Sequence, residues 1–325
     1  MFERARYPVR ATWGSHREEF GLSRWDPKVH ELLPAMGTVS VRDPVIPSVV
    51  HSHAYGPLYG IEVSNSVFDP RGETVVVGDR RIWEFGEPRG KFLPSSVVSR
   101  LRSSRTIAGT WTPMRNSSFA HWILEDLPSA LLSVHSLSAK GVLISQESPT
   151  WQQRILDEVE LPWTAVSNSV RVETLIFVDR QTDYGWPRRD LAKVVVDRVR
   201  NRLTTGETRE QVLYISNAGG RRADAMSQML EERAVEMGYA LVRPENLSWL
   251  EQASLFASAN RIIAPHGGAL ANLIFCRPGT EIVELMNRNY ANPYFEVLAG
   301  HQSLMYESRL IDLDTSLDRV GELLA

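Results

Sequence analysis

One cysteine, Cys276, in 325 residues leaves no partner for an intrachain disulfide and suits a reducing compartment. Long apolar runs are also missing: no stretch approaches the roughly 18 consecutive apolar residues that a membrane span needs. The first ten residues lack the apolar segment of a secretory signal, so a cytoplasmic protein is expected, at most peripheral to the inner face of a membrane. There is no excess of either charge. Thirty-six Lys and Arg against 39 Asp and Glu give a net charge of −3, which supplies no reason for nucleic acid as a partner. Neither a Walker A loop nor G-x-G-x-x-G occurs, which disfavours a P-loop ATPase or an ordinary NAD-binding domain. What is present is a globular balance, 43% hydrophobic and 23% charged, in a chain long enough for two domains.

The first 205 residues read as one domain. Short β-branched runs punctuated by Pro and Gly, such as Thr38–Arg42, Gly60–Ser64 and Glu73–Gly78, predict a strand meander over 37–90. An α/β region is expected over 100–205, with buried strands near 104–110, 141–145 and 172–178 and helices over 118–135 and 150–160. The second domain, 206–325, is clearer. Strands are predicted at 211–216, 239–243, 261–265 and 281–286, with a fifth at 303–307. Helices fall between them, one carrying Met226, Met229, Leu230 and Met237 on its inner face, another opened by a capping box at Ser248–Glu251. A further helix is expected to start at Gly268. Strict β-α alternation with apolar strands implies a parallel, doubly wound sheet.

Ligands bind such sheets at the carboxyl ends of the strands. Three unusual segments fall there: Asn217-Ala-Gly-Gly-Arg221-Arg222, His266-Gly267-Gly268, and Glu284. The glycines allow close backbone approach, a helix N-terminus offers N–H groups to an anion, and arginines suit phosphate oxygens. Glu284 could accept hydrogen bonds from ribose hydroxyls. Together they form a candidate nucleoside-diphosphate site.

Residues 100–307 resemble glycosyltransferase family 61, whose members are often labelled capsular polysaccharide biosynthesis proteins. The resemblance rests on Tyr214-Ile-Ser with Arg222, Pro244-Glu-Asn-Leu-Ser-Trp-Leu-Glu-Gln252, Pro265-His-Gly-Gly-Ala-Leu-Ala-Asn272 with Phe275, and Pro278-Gly-Thr-Glu-Ile-Val-Glu284-Leu. It extends upstream to His121-Trp-Ile-Leu-Glu-Asp126-Leu-Pro. Asn217 stands where the family often has Arg. The resemblance implies a GT-B-like fold, with two Rossmann-like doubly wound domains and the β-meander as an N-terminal addition. It implies inverting transfer from a nucleotide sugar, UDP-linked foremost, to a glycan or lipid-linked saccharide acceptor in bacterial capsule or envelope synthesis.

Inverting transfer needs a base for the acceptor hydroxyl. Asp126 and Glu125 are the candidate bases, with His121 binding sugar or orienting the base. The expected donor-binding residues are Asn217, Arg221, Arg222, His266, Gly267, Gly268, Asn272 and Glu284. No cofactor and no metal is expected; His51 and His53 lack a third ligand, and Asp312-Leu-Asp314 reads as solvent-facing alternation. Two other classes remain open: a non-catalytic nucleotide- or glycan-binding subunit, and a nucleotide-sugar epimerase or hydrolase.

Overall fold

The structure, a computed structural model, describes residues 28–33, 37–42, 50–55, 58–70, 74–77, 80–84, 87–92, 105–115, 117–179, 186–204, 212–217, 225–288, 291–311 and 317–325. The protein is mixed α/β and divides into two compact units. The first takes its described residues from Met1–Thr38, His53–Ser117 and Glu125–Trp186, the second from Val39–Ser52, Ser118–Leu124 and Pro187–Ala325.

The first unit is built on a nine-stranded sheet. It begins with β1 (Lys28–Leu33); β2 (Gly37–Arg42) and β3 (Val50–Tyr55) form a separate two-stranded sheet. The strands β4 (Leu58–Asp69), β5 (Thr74–Val77), β6 (Arg80–Glu84) and β7 (Glu87–Phe92) make an antiparallel meander. The strands β8 (Thr106–Pro113), β9 (Val142–Ser145) and β10 (Trp163–Val166) run parallel. Finally, β11 (Val170–Asp179) pairs in parallel with β8 on one side and antiparallel with β4 on the other. The meander and the α/β half are therefore one sheet, joined because β11 gives one edge to each. Val172, Leu175 and Phe177 of β11 pack with Ile61, Val63 and Phe68 of β4 in a common apolar core. Burying each such side chain stabilises the fold by roughly 1.5–3 kcal/mol.

In the second unit β12 (Val212–Ile215), β13 (Ala240–Val242), β14 (Arg261–Pro265), β15 (Glu281–Asn287) and β16 (Met305–Ile311) form an all-parallel sheet. Its order is β13-β12-β14-β15-β16. Each strand is followed by helical chain: Ala225–Glu236, Trp249–Ser258, Tyr294–His301 and Leu317–Leu324 are α-helices, while Gly268–Phe275 is a 3₁₀ helix. The helix Arg189–Val199, which precedes the expected domain start at 206, also belongs to this unit. Met226, Met229, Leu230 and Met237 pack on a core with Tyr214, Ile263 and Val283, as the 3.6-residue spacing predicts. The capping box is formed: Glu251 N–H donates to Ser248 Oγ at 3.3 Å, and Ser248 N–H donates to Glu251 Oε2 at 2.7 Å. Among the described residues no helix is long and apolar enough to cross a membrane.

Candidate functional site

Strand order fixes where a ligand can sit. The chain leaves β12, adds β13 on one side, then crosses to β14 on the other. The carboxyl ends of β12 and β14 therefore flank the topological switch point, the place where ligands bind in open sheets of this kind. Ser216 and Asn217 follow β12, and His266, Gly267 and Gly268 follow β14. These two segments are neighbours, since β12 and β14 pair directly. Asn217 Oδ1 is buried and has no hydrogen-bond partner among the described residues. Arg221 and Arg222 lie outside the described residues.

The β14 end is held firmly. His266 N–H extends the ladder by donating to Leu285 O at 2.8 Å. The imidazole Nδ1 lies 2.5 Å from Glu284 Oε1, and the Tyr306 hydroxyl donates to Glu284 Oε2. Glu284 is fully buried, and each of its oxygens has a partner within the protein. Glu296 sits close enough to feel it: burial, and then the Glu284 charge, push the Glu296 carboxyl above its ordinary range. Gly268 is a close-approach position, because a Cβ there would lie 3.3 Å from Phe119 Cβ. The helix expected to start at Gly268 is the 3₁₀ helix Gly268–Phe275. This 3₁₀ helix starts directly after the carboxyl end of β14, and the first N–H groups of a helix have no partner within it.

Asn272, expected among the donor-binding residues, is a core residue. It is fully buried. Its Oδ1 accepts from Trp249 Nε1 at 3.0 Å, and its Nδ2 donates to Gln252 Oε1 at 3.0 Å. Gln252 Nε2 in turn donates to Pro244 O at 2.9 Å. The Trp249, Gln252 and Asn272 positions of the resemblance thus tie the helix Trp249–Ser258 to the 3₁₀ helix.

His121 belongs to this second unit. Its ring meets Tyr294 edge-on at 5.4 Å, Tyr294 meets Phe295 at 5.2 Å, and Phe295 meets His266 at 5.4 Å. An aromatic chain therefore connects the two histidines. Glu125 and Asp126 belong to the first unit. Trp122–Asp126 is a π-helical turn, so the i,i+4 alignment that a regular α-helix over 118–135 would give His121 and Glu125 does not apply. Asp126 is buried; Oδ1 accepts from Arg115 Nε at 2.8 Å and Oδ2 from Ser117 Oγ at 2.5 Å. Glu125 Oε2 is 3.3 Å from Arg115 Nη2, and Glu125 is 15% exposed against 7% for Asp126. Burial acts to lower the Arg115 pKa, but Asp126 and Glu125 outweigh it and hold the guanidinium well above its usual range. A cleft of about 20 Å³, lined by Thr112, Met114, Asp126, Ser129 and Phe177, lies beside this cluster, with room for about one water molecule.

Sequence reasoning missed Arg115, Tyr306 and Glu296. Arg115 follows the apolar strand β8 without any motif, and Tyr306 reads as one member of an alternating strand. It also missed a cluster at the ends of β12 and β13: the Ser216 hydroxyl donates to Glu231 Oε1, and half-exposed Arg243 donates to Glu231 Oε2 at 2.8 Å. His51 and His53 lie on β3, but their side chains fall outside the described residues, as does Asp312-Leu-Asp314. Among the described residues no three His, Cys, Asp or Glu side chains gather where they could hold a metal.

The carboxyl ends of β12 and β14 thus bring Ser216, Asn217, His266, Gly267 and Gly268 to the switch point of a parallel sheet, the place where sheets of this kind commonly bind ligands. Residues 119–283, just over half of the chain, match the profile of Glycosyltransferase 61. The chain belongs to that family. A curated relative, a beta-1,2-xylosyltransferase of Arabidopsis thaliana, is 25% identical over 150 residues; the match covers 46% of this chain and only 26% of the relative. A solved structure of a dodecameric iron-containing heptosyltransferase, TibC, in complex with ADP-D-beta-D-heptose, is similar at a TM-score of 0.33 and 9% identity, over 82% of this chain and 83% of that one.

Proposed function

We propose that the chain is an inverting, metal-independent glycosyltransferase that uses a nucleoside-diphosphate sugar, with UDP the foremost nucleotide. The observation that carries this reading is the switch point of the second unit, where His266-Gly267-Gly268 and Ser216-Asn217 meet on adjacent strands. His266 and the first N–H groups of the 3₁₀ helix bind the diphosphate, joined by Arg221 and Arg222. Glu296, half-buried beside Glu284, takes the ribose role first considered for Glu284. The GT-B-like two-domain layout is part of this proposal, as are a glycan or lipid-linked saccharide acceptor and a role in bacterial envelope polysaccharide synthesis.

In the transfer step the acceptor hydroxyl gives its proton to a carboxylate. The new bond forms between the acceptor oxygen and the anomeric carbon as the bond from that carbon to the phosphate oxygen breaks, and its electron pair leaves on the diphosphate. Donors aimed at that developing charge lower the barrier. Glu125 is the better base of the two candidates, because Asp126 already accepts hydrogen bonds on both oxygens. Asp126 anchors Arg115, and His121 lines the sugar subsite. A thermal-shift panel of nucleotide sugars tests the reading, since a ligand selective for the native state raises the melting temperature. Stabilisation by at least one nucleoside-diphosphate sugar, followed by transfer to an acceptor detected by mass spectrometry, is expected. Stabilisation by none of them overturns it.

A further inference from the structure

Glu284 presents a physical puzzle. It stands in the middle of a strand whose neighbours Ile282, Val283, Leu285 and Met286 are all buried, and it is itself fully buried. A carboxylate in such a place is costly unless paired. Among the described residues no Lys or Arg pairs with it; its partners are His266 and Tyr306. Half-buried Glu296 adds a second negative group nearby. An aliphatic residue would pack this strand more cheaply, so the carboxylate has a purpose other than stability.

Register explains how the three side chains meet. Glu284 is aligned with Ala264 of β14 and with Ser308 of β16. His266 lies two residues beyond Ala264, and Tyr306 two residues before Ser308. Positions two apart share a sheet face, and such diagonal neighbours are within reach of long side chains. Three adjacent strands thus deliver a phenol, a carboxylate and an imidazole in a row.

We propose that Tyr306 and Glu284 are positioning residues that fix the His266 imidazole with its proton on Nδ1, so that Nε2 is the atom that meets the phosphates of a nucleoside diphosphate. This rests on the reading of the switch point as the donor site. The Tyr306 hydroxyl is a dependable donor, since burial and the Glu284 charge hold its pKa far above the ordinary range. Its hydrogen bond occupies Oε2 and turns Oε1 toward His266. A carboxylate on Nδ1 selects the tautomer and orients the ring, which leaves Nε2 turned to the ligand.

The test uses the full chain labelled with ¹⁵N at histidine. Long-range ¹H–¹⁵N spectra are compared for wild type, His266→Gln (to assign the signal), Tyr306→Phe and Glu284→Gln, beside UDP affinity by calorimetry and the melting temperature of each. The expected wild-type Nδ1 signal stays in the protonated range throughout a pH titration. In Glu284→Gln it moves to the exchange-averaged range of an ordinary histidine, and in Tyr306→Phe it shifts part of the way. Both folded variants bind UDP roughly tenfold or more weakly than wild type. A wild-type Nδ1 that titrates like that of an exposed histidine overturns the proposal, and so does an unchanged His266 signal in both variants. Weakened UDP binding must accompany the spectral change; if wild type binds UDP and both variants match it, the positioning role is refuted. Failure of wild type to bind UDP, GDP or ADP refutes the donor-site reading instead, while the spectra still decide whether the chain of three holds His266.

Discussion

Glu125 and Asp126 are adjacent in sequence, yet Arg115 treats them differently. Asp126 takes the short bond at 2.8 Å and a second bond from Ser117, while the contact of Glu125 with the same guanidinium is longer, at 3.3 Å. Their substitutions should therefore separate. Glu125→Gln is expected to lower the transfer rate by about 10²–10⁴-fold with UDP affinity and melting temperature unchanged. Asp126→Asn leaves a buried guanidinium short of its main counter-charge, which costs about 3 kcal/mol or more. Chemical denaturation beside steady-state kinetics distinguishes the two; equal losses of activity with equal stability would contradict the assignment. The pair was legible in the sequence as two carboxylates after a His-Trp dipeptide. Which one is neutralised was not, because the deciding residue, Arg115, lies ten positions away with no pattern to mark it. His301 gives a prediction of another kind. Burial, then the Arg189 charge, lower its pKa from 6.5 to about 4, against an opposing effect of Asp190. In the pH window between those values the unfolded chain binds a proton that the folded chain refuses, so stability falls as pH falls from 6.5 toward 4. The effect is at most about 3 kcal/mol. Urea unfolding across this range should show His301→Gln losing part of the wild-type acid sensitivity.

At the level of elements, periodicity carried the second unit well. The helix with Met226, Met229 and Leu230, the capping box at Ser248 and the apolar strands β14 and β15 follow from local pattern. The helix at Gly268 follows too, but not its 3₁₀ form or its contacts, which come from side chains elsewhere: Phe119 near Gly268, and Trp249 and Gln252 on Asn272. Two substitutions probe this level. Ser248→Ala removes one half of the capping box and should cost about 1 kcal/mol, measured by urea unfolding. Asn272→Ala strands the Trp249 indole N–H and the Gln252 carbonyl in the core and should cost more than about 2 kcal/mol. Protein that remains folded should bind UDP as wild type does. A stable Asn272→Ala protein with lost UDP affinity would return this residue to the donor site.

For the molecule as a whole, the strand order matters more than any single motif. The alternating pattern implied a parallel sheet, but only the order β13-β12-β14-β15-β16 puts Asn217 and His266 at one switch point. That order needs the β12–β14 pairing, which joins residues some fifty positions apart. In the first unit the meander and the parallel strands were legible separately, and their fusion into one sheet through β11 was not, since register across β4 and β11 spans more than a hundred residues. The central claim is that the second unit binds a nucleoside diphosphate at this switch point without a divalent metal. Isothermal titration of UDP into wild type and His266→Ala, each with and without EDTA, tests it most directly. Wild type is expected to bind UDP equally well in EDTA, and His266→Ala to bind it roughly ten- to a hundredfold more weakly, the loss of about 1.5–3 kcal/mol expected for a charged hydrogen bond. Binding abolished by EDTA, or wild-type affinity in His266→Ala, would contradict it.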